Sequence, residues 1–236
     1  MQPRHVILAV VLTICWGLNF VVITISLTDF PPLLLVALRF ILTAIPVLFL
    51  PRPKISWPMM IVASIFLFLL QFSLLFPSMA IGMPPGLASI ALQVQAFITI
   101  SIAAALLREF PTRRQIAGAV VALAGLVLVG ATVGTNGVTL PGFLLLLGSA
   151  VSWAIGNVLL RRAGPVDMLA LISWLAFIAA GPQLVIALLI EGPDRIGYAL
   201  THATWLTIGG VAYIAFVSTT FGYAVWGQLL KTYPAA

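Results

Sequence analysis

Charge is what this chain has least of. Eleven Lys or Arg and five Asp or Glu, 7% of 236 residues, are too few to clothe a water-soluble surface. Cysteine is nearly absent as well: Cys15 stands alone inside the first apolar run, which excludes an intrachain disulfide and a cysteine metal cluster. Histidine is limited to His5 and His202, both beside the ends of apolar runs. No GxSxG, HExxH, CxxC or P-loop pattern occurs. Neither a catalytic residue, a metal site nor a cofactor is expected, and the chain does not read as an enzyme. Strict apolar/polar alternation is missing too, which disfavours a membrane β-barrel.

What is present is apolar surface: 62% hydrophobic residues and a mean hydropathy of +1.21. The expectation is an integral membrane protein of all-α class, a polytopic helix bundle. Runs of roughly 20 residues, enough to cross about 30 Å of hydrocarbon, occupy 5–26, 31–50, 57–80, 87–107, 115–131, 140–160, 168–190 and 205–230. These are eight expected spans. The connections are short and rich in proline and glycine. The first run continues to about Ile25 without a small-residue cleavage site and reads as a retained span rather than a signal peptide.

With eight spans, Arg4, Arg52, Lys54, Arg108, Arg113, Arg114, Arg161, Arg162 and Lys231 all fall on the N-terminal side, and Asp29, Glu191, Asp194 and Arg195 on the other. Both termini are therefore expected in the cytoplasm, with Gly134 to Gly137 external. The net charge of +6 reads as this bias, so membrane lipid is an expected partner and nucleic acid is not.

The stretch GMPPGLASIALQVQAF, from Gly82 to Phe97, joins a sharp break to two glutamines in an apolar run. Pro84, Pro85 and Gly86 are expected to force a turn, with Gln93 and Gln95 on the helix that follows. Trp16 and Trp153 open the first and sixth runs, and Trp57 and Trp205 the third and eighth. That pattern suggests a repeat of five spans, the second copy inverted, with Pro85 matching Pro234. The repeats divide as 1–136 and 137–236, the second short of two spans.

Arg39 is the only charge well inside a run. It either snorkels or is capped structurally, or it offers a cation to an anionic substrate group. All five carboxylates sit at connections, so no intramembrane proton relay is evident. The other polar positions are neutral. Cys15, Asn19 and Ser26 share a stripe, as do Ser149, Trp153 and Asn157, and then Tyr213, Phe216, Thr220, Tyr223 and Gly227. Gln71 joins Gln93 and Gln95. Singly each suits a helix contact; together they suggest a neutral, aromatic-rich cavity. Gly118 with Ala122, and Ala150 with Ala154, form small-residue faces compatible with a homodimer.

CWGLNFVVI, PPLLLVALRF, GMPPGLASIALQVQAF, REFPTRRQIAG, SWAIGN and AFVSTTFGYAVWGQLL, in that order, resemble the EamA branch of the drug/metabolite transporter superfamily, and most closely its O-acetylserine/cysteine exporters. The resemblance implies a ten-helix 5+5 inverted-repeat fold in the bacterial inner membrane, of which eight helices are present here. It implies export of a small-molecule substrate by alternating access, with cysteine, O-acetylserine or related neutral amino acids first. The alternatives are aromatic amino acids or drugs, or a membrane fragment that does not transport. By position it implies a central cavity lined by Trp16, Asn19, Gln71, Gln93, Gln95, Trp153, Asn157, Tyr223 and Trp226, to which the charge argument adds Arg39.

Overall fold

The computed structural model describes residues 2–107, 112–131, 133–134, 138–162 and 166–232, and every regular element among them is helical. The expected pairing of Pro85 with Pro234 falls on a residue outside this set. So do Arg108, Glu109, Pro111, Gly164, Pro165, the external-turn residues 135–137 and the closing residues 233–236. Six helical stretches are long and apolar enough to cross a membrane: Pro3–Ser26, Trp57–Ala80, Pro85–Ile102, Leu140–Leu160, Met168–Glu191 and Trp205–Trp226. Two shorter apolar stretches, Pro32–Leu48 and Gln115–Gly130, fall where the second and fifth spans were expected. The chain is a polytopic helical membrane protein.

In chain order the helices are α1 (Pro3–Ser26), α2 (Pro32–Ala44), α3 (Trp57–Ser64), α4 (Gln71–Ala80), α5 (Pro85–Ala91), α6 (Val94–Leu107), α7 (Arg113–Gly130), α8 (Leu140–Arg162), α9 (Met168–Glu191), α10 (Pro193–His202), α11 (Trp205–Ala212) and α12 (Gly222–Thr232). Proline opens α1, α2, α5 and α10, where its missing N–H costs nothing and its fixed φ suits the first turn. Inside a helix the same residue removes a ladder hydrogen bond, which α4 accommodates at Pro77 and α9 at Pro182. Pro46 cannot continue the ladder, and α2 gives way to a 3₁₀ turn over Ile45–Leu48.

Three expected spans are interrupted. A π-helical segment, Ile65–Leu70, lies between α3 and α4, and another, Tyr213–Phe221, lies between α11 and α12. The fourth run breaks between α5 and α6, where Gln93, Gln95 and Ala96 donate backbone N–H groups to carbonyls three residues back. This corrects two expectations. The turn sits at residues 81–84, with Gly82 at φ 115°, and Pro85 and Gly86 already belong to α5. Gln93 lies in the break rather than on a helix.

The contacts gather into two compact units, Met1–Ser56 with Pro165–Ala236, and Trp57–Gly164. In the first, α2 packs along α9, and α1 packs against α11, its π segment and α12. In the second, α8 is the centre, contacting α3, the π segment of 65–70, α4 and α6. Ala150 and Ala154 are buried inside this unit, and a Cβ added at Gly118 would lie 3.7 Å from Phe97 Cε1. The Ala150 and Ala154 face is thus used for packing within the chain, whereas Gly118 and Ala122 on α7 are only half-buried.

Three carboxylates that the sequence places at connections are bound to helix N-termini. Glu191 accepts from the N–H groups of Leu33 (2.7 Å) and Leu34 (2.9 Å), capping α2, whose own Pro31 offers no side-chain cap. Asp29 accepts from the Thr204 N–H (2.9 Å) and from the hydroxyls of Thr204 (2.9 Å) and Thr207 (2.7 Å) at the start of α11. Those bonds, the Thr204 N–H foremost, hold its carboxyl below the ordinary value. Asp167 caps α9 through the Ala170 N–H at 2.9 Å. Negative charge at each of these ends also complements the helix dipole.

Candidate functional site

The ten residues expected to line a cavity divide evenly between the units. Trp16, Asn19, Arg39, Tyr223 and Trp226 lie in the first; Gln71, Gln93, Gln95, Trp153 and Asn157 lie in the second. Each set has its own geometry.

In the first unit Arg39 is 3% exposed. Its side chain is enclosed by the protein, which favours a role within the helix bundle over snorkelling. Nε donates to Thr219 Oγ1 at 3.0 Å, and that hydroxyl donates in turn to the Ile214 carbonyl at 2.7 Å. The Tyr223 phenol lies within electrostatic reach of the guanidinium. Tyr223 also meets Trp16 with ring centroids 5.8 Å apart, and Trp16 meets Trp226 at 5.9 Å. The Trp16 indole is fixed by a 3.0 Å bond from Nε1 to the Ser218 carbonyl. Tyr223, Trp16 and Trp226 therefore form one aromatic cluster, and Arg39 is a buried cation close enough to Tyr223 to feel its phenol. Asn19, one turn beyond Trp16 on α1, is buried, and its Oδ1 accepts no hydrogen bond among the described residues.

The second unit offers neutral amides. Gln71 is buried and donates through Nε2 to Ser149 Oγ at 3.4 Å. Asn157 Nδ2 donates to Gln95 Oε1 at 3.3 Å, so two of the expected residues are brought together. Trp153 is half-buried on α8, and Gln93 is exposed in the α5–α6 break.

The polar stripe expected along the eighth run fails where the helix is π. Phe216 is 42% exposed, while Ser218 and Thr219 are buried. An extra residue in the turn rotates every later position off the 3.6-residue count. Thr219, the direct partner of Arg39, was therefore missed, as was Thr43, whose hydroxyl donates to the Ala215 carbonyl at 3.5 Å. The run Ser218, Thr219, Thr220 was the available signal. No group of three His, Cys, Asp or Glu side chains with metal-binding geometry occurs among the described residues. What the arrangement can do chemically is hold an anion against Arg39 and stack an apolar or aromatic group beside it.

The EamA-like transporter family model matches residues 4–131. A "Probable amino-acid metabolite efflux pump" of Salmonella typhimurium is 39% identical over 99% of this chain and 80% of its own length. A protein of the same description from Escherichia coli K12 is 37% identical over the same shares. An "Uncharacterized transporter YvbV" of Bacillus subtilis is 26% identical over 97% of this chain and 76% of its own length.

Proposed function

Because this chain belongs to the EamA-like transporter family, we propose that it exports neutral amino acids and related small polar metabolites, cysteine and O-acetylserine among them, across the bacterial inner membrane. Transport of small metabolites out of the cell is the function its relatives' names describe. The observation that carries the finer reading is Arg39. It is a buried cation held by Thr219 beside Tyr223, and an α-carboxylate is the group it suits best. The Trp16, Tyr223 and Trp226 cluster favours a second reading, in which the side chain carried is aromatic.

The mechanism we propose is alternating access in an inverted repeat, and the helix pairings support it. The first run packs on the eighth, the third on the sixth and the second on the seventh. Advancing by five spans exchanges the first two pairings and maps the third onto itself. The charge bias supports cytoplasmic termini. Lys54→Cys and Asp194→Cys lie on opposite sides in that arrangement. In intact cells an impermeant thiol reagent is expected to label the second and spare the first, in a Cys15→Ser background; the reverse pattern rejects the orientation.

Export is facilitated rather than proton-driven in this reading. Asp29, Asp167 and Glu191 are committed to helix ends, and Asp194 lies in the first turn of α10. A proton gradient acts only through a group whose protonation differs between the two access states. Everted vesicles from expressing cells are expected to take up labelled O-acetylserine and cysteine to equal concentrations inside and out. An imposed pH gradient is expected to leave that plateau unchanged. Uptake no greater than in control vesicles rejects the substrate reading, and accumulation driven by pH rejects the energetic one.

A further inference from the structure

The third and eighth runs carry the same irregularity in the same register. Trp57 opens the third and Trp205 the eighth, and each π segment begins eight residues after its tryptophan, at Ile65 and at Tyr213. Each segment also has a carbonyl occupied by a side chain from a helix packed against it, and the longer eighth-run segment has a second, at Ala215, taken by Thr43 of α2. Trp16 Nε1 donates to the Ser218 carbonyl at 3.0 Å, and Ser152 Oγ donates to the Phe66 carbonyl at 2.7 Å. Under the alignment that matches Trp16 with Trp153, these two donors differ by a single position. Close packing is common to both. A Cβ on Gly222 would lie 2.7 Å from Trp16 Nε1, and one on Gly156 would overlap the Leu67 side chain within the π segment.

A π turn holds one residue more than an α turn, and its hydrogen-bond ladder is locally out of step with the flanking helix. Helices bend at such places, because the bulge can be redistributed without breaking the helix. In lipid a released carbonyl must find a donor, so the side chain that supplies one selects where the bulge rests. The eighth run is held more heavily: the hydroxyls of Thr219 and Thr220 bond carbonyls five residues back, and Tyr213 donates its hydroxyl to the Cys15 carbonyl at 3.0 Å. Arg39 grips Thr219, so the guanidinium offered to substrate is bonded directly to one of these segments.

We propose that the two π segments are the paired joints of the export cycle, and that Ser152 and Trp16 are positioning residues that latch them. The inference rests on the transport and repeat readings above. Its test does not depend on the substrate: amide hydrogen exchange read by mass spectrometry on the whole protein in lipid nanodiscs, with nothing added. Residues 65–70 and 213–221 are expected to exchange faster than the α turns on either side. Ser152→Ala, which removes one hydrogen bond, is expected to speed exchange at 65–70 about fivefold. Exchange at 213–221 should stay as it was, and Ser152→Thr, which keeps the hydroxyl, should restore the original rate at 65–70. Tyr213→Phe is expected to have the converse effect, at 213–221 alone. In vesicles Ser152→Ala should alter the maximal rate and leave KM unchanged. Exchange at the π segments no faster than in their flanks overturns the proposal. So does a Ser152→Ala effect spread evenly over 57–164, or a failure of Ser152→Thr to restore the rate. Absence of amino-acid transport by the unaltered protein would reject the substrate reading instead, and the exchange pattern would still decide the joints.

Discussion

Replacing Arg39 with lysine is expected to weaken export of carboxylate-bearing amino acids by about tenfold to a hundredfold at equal protein abundance, roughly the worth of one charge-assisted hydrogen bond. The charge is kept in this variant, and what changes is geometry. A guanidinium can leave Nε on Thr219 and still present its planar edge to a carboxylate with two parallel N–H bonds. An ammonium is a point donor at a different reach and cannot do both. The loss is expected in KM, since the contact serves binding. Methyl esters of the same amino acids lack the anion and are expected to move equally well through the two proteins. Arg39→Met, which keeps much of the bulk and removes the charge, should lower acid export further and again spare the esters. Acids and esters falling together would mean that Arg39 acts on the fold through Thr219 alone. Undiminished acid export by the lysine protein would remove Arg39 from the site.

How much of this was legible in the sequence depends on which physical constraint wrote each feature. Lipid demands long apolar runs, so the helical bundle could be read directly, as could Arg39, a charge where charge is costly. Asp29 and Asp167 lie between helices, as expected, whereas Glu191 ends α9 and Asp194 falls within α10, and the partners of the capping carboxylates were not visible. Glu191 caps a helix that begins at Pro32, and no local pattern links the two. The π segments were unreadable for a different reason. Ile65 to Leu70, IFLFLL, is uniformly apolar, so it carries no periodicity that an added residue could disturb. In the eighth run the hydroxyls did carry a period, and counting at 3.6 residues selected Phe216 and passed over Thr219. The Gln93 break escaped because the glutamine pair was read as belonging to a single helix, whereas Gln93 ends up exposed and Gln95 bonds Asn157.

Gly156 is expected to be the least replaceable position in the second unit. It lies on α8 where that helix crosses the π segment of the third run, and even a methyl group there would overlap Leu67 Cγ and approach the Leu67 backbone nitrogen to 3.2 Å. Side chains in a membrane interior gain little from excluding water, so helix association depends on close van der Waals fit. A glycine that admits another helix this closely therefore contributes through contact rather than flexibility. Gly156→Ala is expected to cost about 1–3 kcal/mol by overpacking, despite alanine's better helix propensity, and Gly156→Leu to abolish the folded protein. The control is a helical glycine with open space. Apart from their own helix backbone and chain neighbours, Gly17 and Gly125 have no heavy atom within 4 Å of an added Cβ, so alanine at either should leave stability unchanged or raise it by up to about 1 kcal/mol. The decisive variant is the pair Gly156→Ala with Leu67→Ala. Removing the leucine side chain takes away most of the clash, so the double variant should be clearly more stable than the sum of the two single losses predicts. Thermal unfolding in detergent, followed by fluorescence-detected size exclusion, compares each of these variants with the unaltered protein. Strict additivity of the two losses, or a Gly156→Ala protein as stable as Gly17→Ala, would show that α8 and the π segment do not meet at this point.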